Sequence, residues 1–143
     1  MLSRYMGNLV RRAQQRHMAV WLSEVSTELT SVQYAALVAL QQIPGANQRQ
    51  LGDELDVDRS TIADLVARMV RNGLIERTDD PADKRSYVLF LTVAGRKQLA
   101  TLRPRVEEVE RILTAALTSQ ECSELRRLLV LMLPERAWRP DTA

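Results

Sequence analysis

The side chains with the clearest binding chemistry lie in one short charged loop. Asp83, Lys84 and Arg85 follow Pro81 there. Arginine offers a planar fork of donors that fits a phosphate or the edge of a guanine, and lysine offers a point charge. If these side chains meet a nucleic acid, we expect Arg85 to contact a minor groove or a phosphate and Lys84 to contact a phosphate. Asp83 is then a positioning residue, because DNA repels a bare carboxylate. A charged tip of this kind can also be a solvated turn.

A second polar set lies on an amphipathic stretch that begins after Asp58. Its exposed positions combine small residues with arginines: Arg59, Ser60, Thr61, Asp64 and Arg68. Small residues let a helix approach another surface closely, and arginine then reaches phosphates or base edges. Ser60 and Thr61 can instead supplement the helix cap, and Arg68 can pair with Asp64 on the helix surface.

A third set lies near the N-terminus and could bind a small acid. It consists of Arg11, Gln14, Met18 and Trp21 at three- and four-residue steps, with His17 beside them and Tyr34 at the start of the next helix. Trp21 offers a flat apolar wall, His17 can donate or accept near neutral pH, and Arg11 can grip a carboxylate. Few polar anchors on an apolar wall are typical of a pocket for an aromatic acid. The alternative is that Trp21 and Tyr34 are core, while the basic side chains form a dimer interface or a solvated face.

Composition narrows the class of protein. The chain has 143 residues with one cysteine, Cys122, and one histidine, so we expect no internal disulfide, metal centre or cofactor. It has no Gly-rich phosphate loop or nucleophile motif, and the adjacent Glu107 and Glu108 do not face a common point. We therefore expect no enzyme. No apolar run reaches the roughly 18 residues that span a membrane, and no signal peptide is visible, which predicts a cytoplasmic protein.

Charge alone does not point to nucleic acid. The net charge is only +2, although the isoelectric point is about 9.0. Residues 44–97 contain equal numbers of acidic and basic side chains. Any binding of DNA must depend on the local placement of cations and not on a bulk field.

The elements that position these side chains can be predicted from periodicity and capping residues. The apolar steps predict helices over residues 2–28, 31–42, 47–54, 59–72, 93–116 and 119–133. We expect Asn47, Asp58, Thr92 and Thr118 to cap four of them, and Pro104 to kink or divide the long one. The extended segments LIER and YVLFL flank the charged loop. Helix, strand, basic loop, strand and helix form the order of a winged helix, so we predict a mainly α fold with a small β-wing.

The outer helices carry more apolar surface than a small winged helix can cover. Such stripes predict pairing with a second copy of the chain. We expect residues 1–30 and 98–143 to form the dimer, with a tail after Pro134 that is loosely held, and residues 31–97 to bind DNA. A two-fold dimer would set its half-sites roughly one helical turn, about 34 Å, apart.

The sequence resembles the MarR family of bacterial transcription regulators over about residues 9–133. The most specific stretches are QLGDELDVDRSTIADLVARMVRNGLIER, the loop DPADKRSYVLFLT and the following AGR. The resemblance implies that Arg85 of the Asp-x-Arg pattern reaches toward the minor groove and that Asp83 holds it in place. It also implies a homodimer on a palindromic operator, usually a repressor that its ligand releases.

The N-terminal half resembles a narrower branch of that family. The runs LVRRAQQRHMAVW and LTSVQYAAL are similar to members that sense aromatic carboxylic acids, often hydroxybenzoate- or cinnamate-like. This resemblance depends on Arg11, His17 and Trp21 and favours the pocket over the core alternative, with the ligand held between the dimerisation helices and the winged helix. Two other classes remain open: a DNA-binding protein that responds to no ligand, and a winged helix that contacts only proteins.

Overall fold

The computed structural model describes residues 4–135 of the chain and confirms a mainly α protein with a small β-wing. Within that range the helices and strands follow one another as α1 Met6–Glu24, α2 Ser31–Gln42, α3 Gln48–Leu55, α4 Arg59–Arg71, β1 Ile75–Asp79, β2 Tyr87–Leu91, α5 Val93–Leu113 and α6 Ser119–Met132. The chain forms two compact units. One contains Val32–Thr101, and the other contains the described residues up to Ser31 together with Leu102–Pro134.

The first unit holds the predicted winged helix. Its core consists of fully buried apolar side chains from α2, α3, α4 and both strands, among them Leu37, Leu51, Val66, Met69 and Leu89. α3 and α4 meet closely at Gly52, where an added Cβ would lie 3.3 Å from Cγ2 of Ile62. The turn between the two helices passes through Asp56, which has a φ of 54°. α3, the tight turn and α4 therefore form a helix-turn-helix whose two helices share one core.

The capping residues act as the sequence predicts. The Asn47 side chain accepts from the Gln50 backbone N–H at 2.8 Å, and the Gln50 side chain accepts from the Asn47 N–H at 2.9 Å. This reciprocal box fixes the first turn of α3. Thr118 and Glu121 form the same arrangement at the start of α6, with distances of 2.9 and 3.1 Å.

The wing is a two-stranded antiparallel ladder, and a third segment is attached to it. β1 pairs with β2 in a register that sets Ile75 opposite Leu91 and Asp79 opposite Tyr87. On the other side of β2, Gly45 donates to the Leu89 carbonyl and the Leu89 N–H donates to the Ala46 carbonyl, both at 2.9 Å. The segment that leads into α3 is thus bonded directly to the wing.

The start of α5 is fixed to the turn that follows α4. The Thr92 hydroxyl donates to the Gly73 carbonyl at 2.6 Å and accepts from the Gly95 N–H at 3.0 Å. The Thr92 N–H donates to the Leu74 carbonyl at 3.1 Å. Thr92 is therefore both the predicted cap of α5 and a link across the sheet.

The second unit contains α1, the rest of α5 and α6. Val20, Trp21, Val25, Leu29, Leu102 and Val109 form its buried core. α1 ends at Glu24, earlier than predicted, and α5 ends at Leu113. Pro104 lies inside α5 and does not divide it. The predicted helix start at residue 2 and the predicted loose tail beyond residue 135 lie outside the described residues.

Candidate functional site

The N-terminus of α4 is built so that its polar side chains stay exposed. The Asp58 carboxylate accepts from the Thr61 backbone N–H at 2.7 Å, which caps the helix. Ile62, Val66 and Met69 are buried beneath it, at 3%, 0% and 0% exposure. The opposite face leaves the predicted DNA-binding side chains exposed to solvent: Arg59, Ser60, Thr61, Asp64 and Arg68. The Ser60 hydroxyl also donates to Asp58 at 3.0 Å, so this residue supplements the cap in the free protein.

The hydrogen bonds of the cap stabilise the ionised form of the Asp58 carboxyl. The backbone N–H of Thr61 above all, and then the hydroxyl groups of Thr61 and Ser60, hold the pKa of the Asp58 carboxyl below its usual value of 3.8. A pKa that is lower in the folded state means that the charged carboxylate stabilises the fold above that usual value. This contribution is lost as the pH falls through the lowered pKa.

An acid titration of stability should therefore expose the cap. We expect wild type to melt at a higher temperature than Asp58→Asn at about pH 7, because the charged carboxylate also interacts with the helix dipole. Asparagine caps a helix without a charge, so the difference should shrink as the pH falls below about 4. Thermal unfolding of both proteins across that range measures it. A difference that stays constant down to about pH 2.5 would contradict the assignment.

Backbone hydrogen bonds shape the wing tip. The Asp83 carboxylate accepts from the Arg85 backbone N–H at 2.9 Å, and the Asp83 carbonyl accepts from the Ser86 N–H at 3.1 Å. Asp83 thus positions Arg85 through the main chain, whereas the family resemblance implies only that it holds the arginine. The side chains of Lys84 and Arg85 are exposed.

A groove of about 580 Å³ connects the wing to the helix pair. Four arginines line it, Arg49 from α3, Arg59 from α4, Arg77 from β1 and Arg85 from the wing tip, together with the Asp83 carboxylate. The structure thus brings three predicted residues, Arg59, Asp83 and Arg85, to one surface. The other five predicted residues are exposed but are not part of this lining: Ser60, Thr61, Asp64, Arg68 and Lys84. Four cations against one carboxylate make the groove suited to a polyanion.

Two of these arginines were missed by sequence reasoning. Arg49 lies in the first turn of α3, and Arg77 lies in the middle of β1. The signal for Arg49 was its position two residues after the Asn47 cap. The signal for Arg77 required the register of the ladder, which the sequence does not specify.

The predicted ligand residues on α1 separate into different environments. Arg11 donates to side chains of its own helix, to Asn8 at 2.6 Å and to Gln15 at 3.0 Å. Gln14 lines an apolar groove with α6. The half-buried His17 ring lies 6.0 Å from the ring of Trp21. The structure therefore places Arg11 and Gln14 apart from the surroundings of Trp21.

Trp21 combines a core role with a small cavity. It is 5% exposed, and its Nε1 donates to the Leu29 carbonyl at 2.8 Å. Together with Met18 and the 26–31 loop it lines a cavity of about 110 Å³. Tyr34, the remaining predicted residue, is half-buried on α2 in the other unit.

Metal-binding clusters and membrane-spanning helices are both absent from residues 4–135. In that part of the chain no group of three or more histidine, cysteine or acidic side chains is placed to hold a metal ion. No helix there has the length and apolar character needed to cross a membrane.

The chain is similar to known transcription regulators. Residues 29–87 match the MarR family. The transcriptional regulator HosA of Escherichia coli O111:H- is 34% identical over 124 residues, which cover 87% of this chain and 91% of HosA. The Streptomyces coelicolor regulator PcaV, solved with its natural ligand, is 38% identical with a TM-score of 0.89 and covers 92% of this chain and 93% of that one.

A third similar protein is known to respond to a small molecule. BpsR of Bordetella bronchiseptica, whose DNA binding is regulated by 6-hydroxynicotinic acid, is 27% identical with a TM-score of 0.88 and covers 92% of this chain and 95% of its own. These likenesses extend over nearly the whole chain, including the helix pair and the wing. The resemblance noted in the sequence is thereby confirmed, and the chain belongs to the MarR family of winged-helix, DNA-binding transcription regulators.

Proposed function

We propose that the protein is a repressor that binds a palindromic operator as a homodimer and that a small aromatic carboxylic acid releases it. The observation that carries the DNA-binding part is the groove with four arginines from four different elements, beside the exposed face of α4. In this proposal residues 31–97 contact DNA, with Ser60, Thr61 and Arg68 at base edges or phosphates. Asp64 accepts from a donor on a base edge. Lys84 and Arg85 hold the adjacent backbone or minor groove.

The apolar surface of α1 and α6 supports the homodimer. Met6, Leu9 and Val10 of α1 line a groove of about 710 Å³ with leucines of α6. Leu128 and Leu129 are 44% and 46% exposed, and none of the α6 residues is buried. Contiguous apolar surface of this kind marks an interface. Residues 1–30 and 98–143 would then form the dimer.

The chemistry near Trp21 supports an aromatic acid as the effector. The rings of His17 and Trp21 lie close together, and 6-hydroxynicotinic acid, which regulates the similar protein BpsR, is itself an aromatic carboxylic acid. The cavity beside Trp21 is smaller than the roughly 300–1,000 Å³ of most ligand pockets, so the effector needs the 26–31 loop to open or other residues to complete the site.

The proposal is tested by competition between DNA and acids. Palindromic segments from the DNA upstream of the protein's own gene, and scrambled duplexes of the same composition, would be compared in a mobility-shift assay. We expect the protein to elute as a dimer and to prefer a palindrome. 6-Hydroxynicotinic acid, 4-hydroxybenzoate or a cinnamate should weaken that binding by about 5- to 150-fold, the usual range of allosteric coupling.

A non-aromatic acid of similar size is the matched control. Cyclohexanecarboxylate has the same charge but no aromatic ring, so it should leave operator binding unchanged. A monomeric protein, or equal affinity for palindrome and scrambled duplex, contradicts the dimeric repressor. Operator binding that no acid weakens leaves a regulator without this class of effector.

A further inference from the structure

The groove at the base of the wing contains an arginine with an aromatic side chain beneath it. The Arg77 guanidinium carbon lies 5.5 Å from the centroid of the Tyr87 ring. An arginine at that distance from an aromatic face is attracted by the ring and keeps its donors free for another partner. Tyr87 is 49% exposed, so the pair lies at the surface and not in the core.

The strand register explains how the two side chains meet. Arg77 is directly opposite Leu89, and Tyr87 is directly opposite Asp79, so Arg77 and Tyr87 are diagonal neighbours on one face of the ladder. Diagonal neighbours are within reach of each other when one side chain is aromatic and the other is long. The inner end of the same face is buried through Ile75, Leu89 and Leu91, which fixes the register.

The helices next to Arg77 bring two further cations to the groove, Arg49 and Arg59. Asn47, Gln48 and Arg49 at the start of α3 line the same groove, and so does Arg59 at the start of α4. The isolated bridge between Asn47 and Val88 ties the α3 end of the groove to β2. Both helices begin at this groove, but the Gln50 and Thr61 N–H groups are bonded to the Asn47 and Asp58 caps. The attraction for an anion therefore comes from the arginines.

From this arrangement we propose that the wing base is a phosphate-binding site, in which Arg77 contacts the DNA backbone and Tyr87 is the positioning residue that holds its guanidinium. This proposal rests on DNA binding and adds two residues to the predicted interface. It requires neither a palindrome, a dimer nor an effector. The ligand is a phosphodiester group of duplex DNA, which Arg77 recognises without regard to base sequence.

Salt dependence of binding is the direct test. A mixed-sequence DNA duplex is the probe, because phosphate contacts are independent of sequence. We expect Arg77→Ala to weaken binding about tenfold and to reduce the slope of log K against log salt by about 0.9 for each phosphate that is no longer neutralised. The control Arg71→Ala removes an exposed arginine from the last turn of α4, outside the groove lining, and should leave the slope nearly unchanged.

Variants of Tyr87 separate positioning from a structural role. Tyr87→Phe keeps the aromatic face and should bind like wild type. Tyr87→Leu keeps an apolar side chain without that face and should weaken binding several-fold at an unchanged melting temperature. Equal slopes for wild type and Arg77→Ala overturn the phosphate contact. A Tyr87→Phe variant as weak as Tyr87→Leu overturns the positioning role.

Inorganic phosphate provides the last arm of the experiment. If phosphate raises the melting temperature of wild type but not of Arg77→Ala, while the DNA slope is the same for both, the site takes a free anion and the DNA proposal is wrong. A failed search for a palindrome or an effector would leave the slope measurement intact. A failure of the phosphate contact can therefore be distinguished from a failure of the palindrome, dimer or effector.

Discussion

Arg85→Ala is expected to weaken operator binding by about 100-fold. A hydrogen bond to a charged group contributes about 1.5 kcal/mol at the lower end of its range, and about 1.4 kcal/mol corresponds to a tenfold change in affinity. The proposed homodimer would make this hydrogen bond twice, once from each wing, and the variant would remove both copies. If both arginines bind phosphates, the slope of log K against log salt should also fall by about 1.8. A mobility-shift titration at several salt concentrations measures both quantities.

The wing geometry makes this variant a clean test. Asp83 holds the Arg85 backbone N–H, so truncation of the Arg85 side chain leaves the turn intact. Arg71→Ala is again the matched control, because it removes the same charge from the far end of α4. Equal reductions of affinity in the two variants would mean that only overall charge matters. An unchanged affinity for Arg85→Ala would favour a wing that contacts proteins and not DNA.

Gly95→Ala is expected to lower the free energy of unfolding by about 3 kcal/mol, near the upper end of the usual cost of overpacking. A Cβ at this position would overlap the Leu74 carbonyl oxygen, well inside van der Waals contact. That oxygen cannot simply move, because it accepts from the Thr92 N–H at 3.1 Å. Relief therefore requires the start of α5 to shift away from the turn after α4.

Gly73→Ala is a control in which the loss of stability has a different cause. Gly73 has a φ of 75°, and an added Cβ would meet no atom within 4 Å. Its cost is conformational and should be about 1 kcal/mol. Urea unfolding of both variants at one fixed protein concentration separates the two effects. A Gly95→Ala variant as stable as Gly73→Ala would mean that α5 is not docked on Leu74 as described.

Features set by neighbouring residues could be predicted from the sequence. Asn47, Asp58, Thr92 and Thr118 all cap the helices that they were expected to cap, because a cap needs only a side chain within three residues of its partner. β2 spans the predicted YVLFL segment for a similar reason, since its alternation of burial is local.

Features that depend on distant residues could not be predicted in this way. The meeting of Arg77 with Tyr87 follows from the strand register, which is set by burial of Ile75 and Leu91 at the other end of the ladder. The hydrogen bonds of Arg11 to Asn8 and Gln15 depend on which rotamer a long side chain adopts, and helical spacing does not set that rotamer. Helical spacing predicts on which face of the helix a side chain lies, but it does not predict which side chain it bonds to.

The bonds of Gly45 and Ala46 to Leu89 have a consequence for the entropy of recognition. An isolated two-stranded hairpin is only marginally stable in water, and a flexible one would lose conformational freedom each time it settled against a duplex. The added segment makes the wing a short three-stranded patch that already has its shape in solution. If the wing contacts DNA as proposed, association requires less ordering of the backbone, and more of the attraction between guanidinium and phosphate remains as affinity.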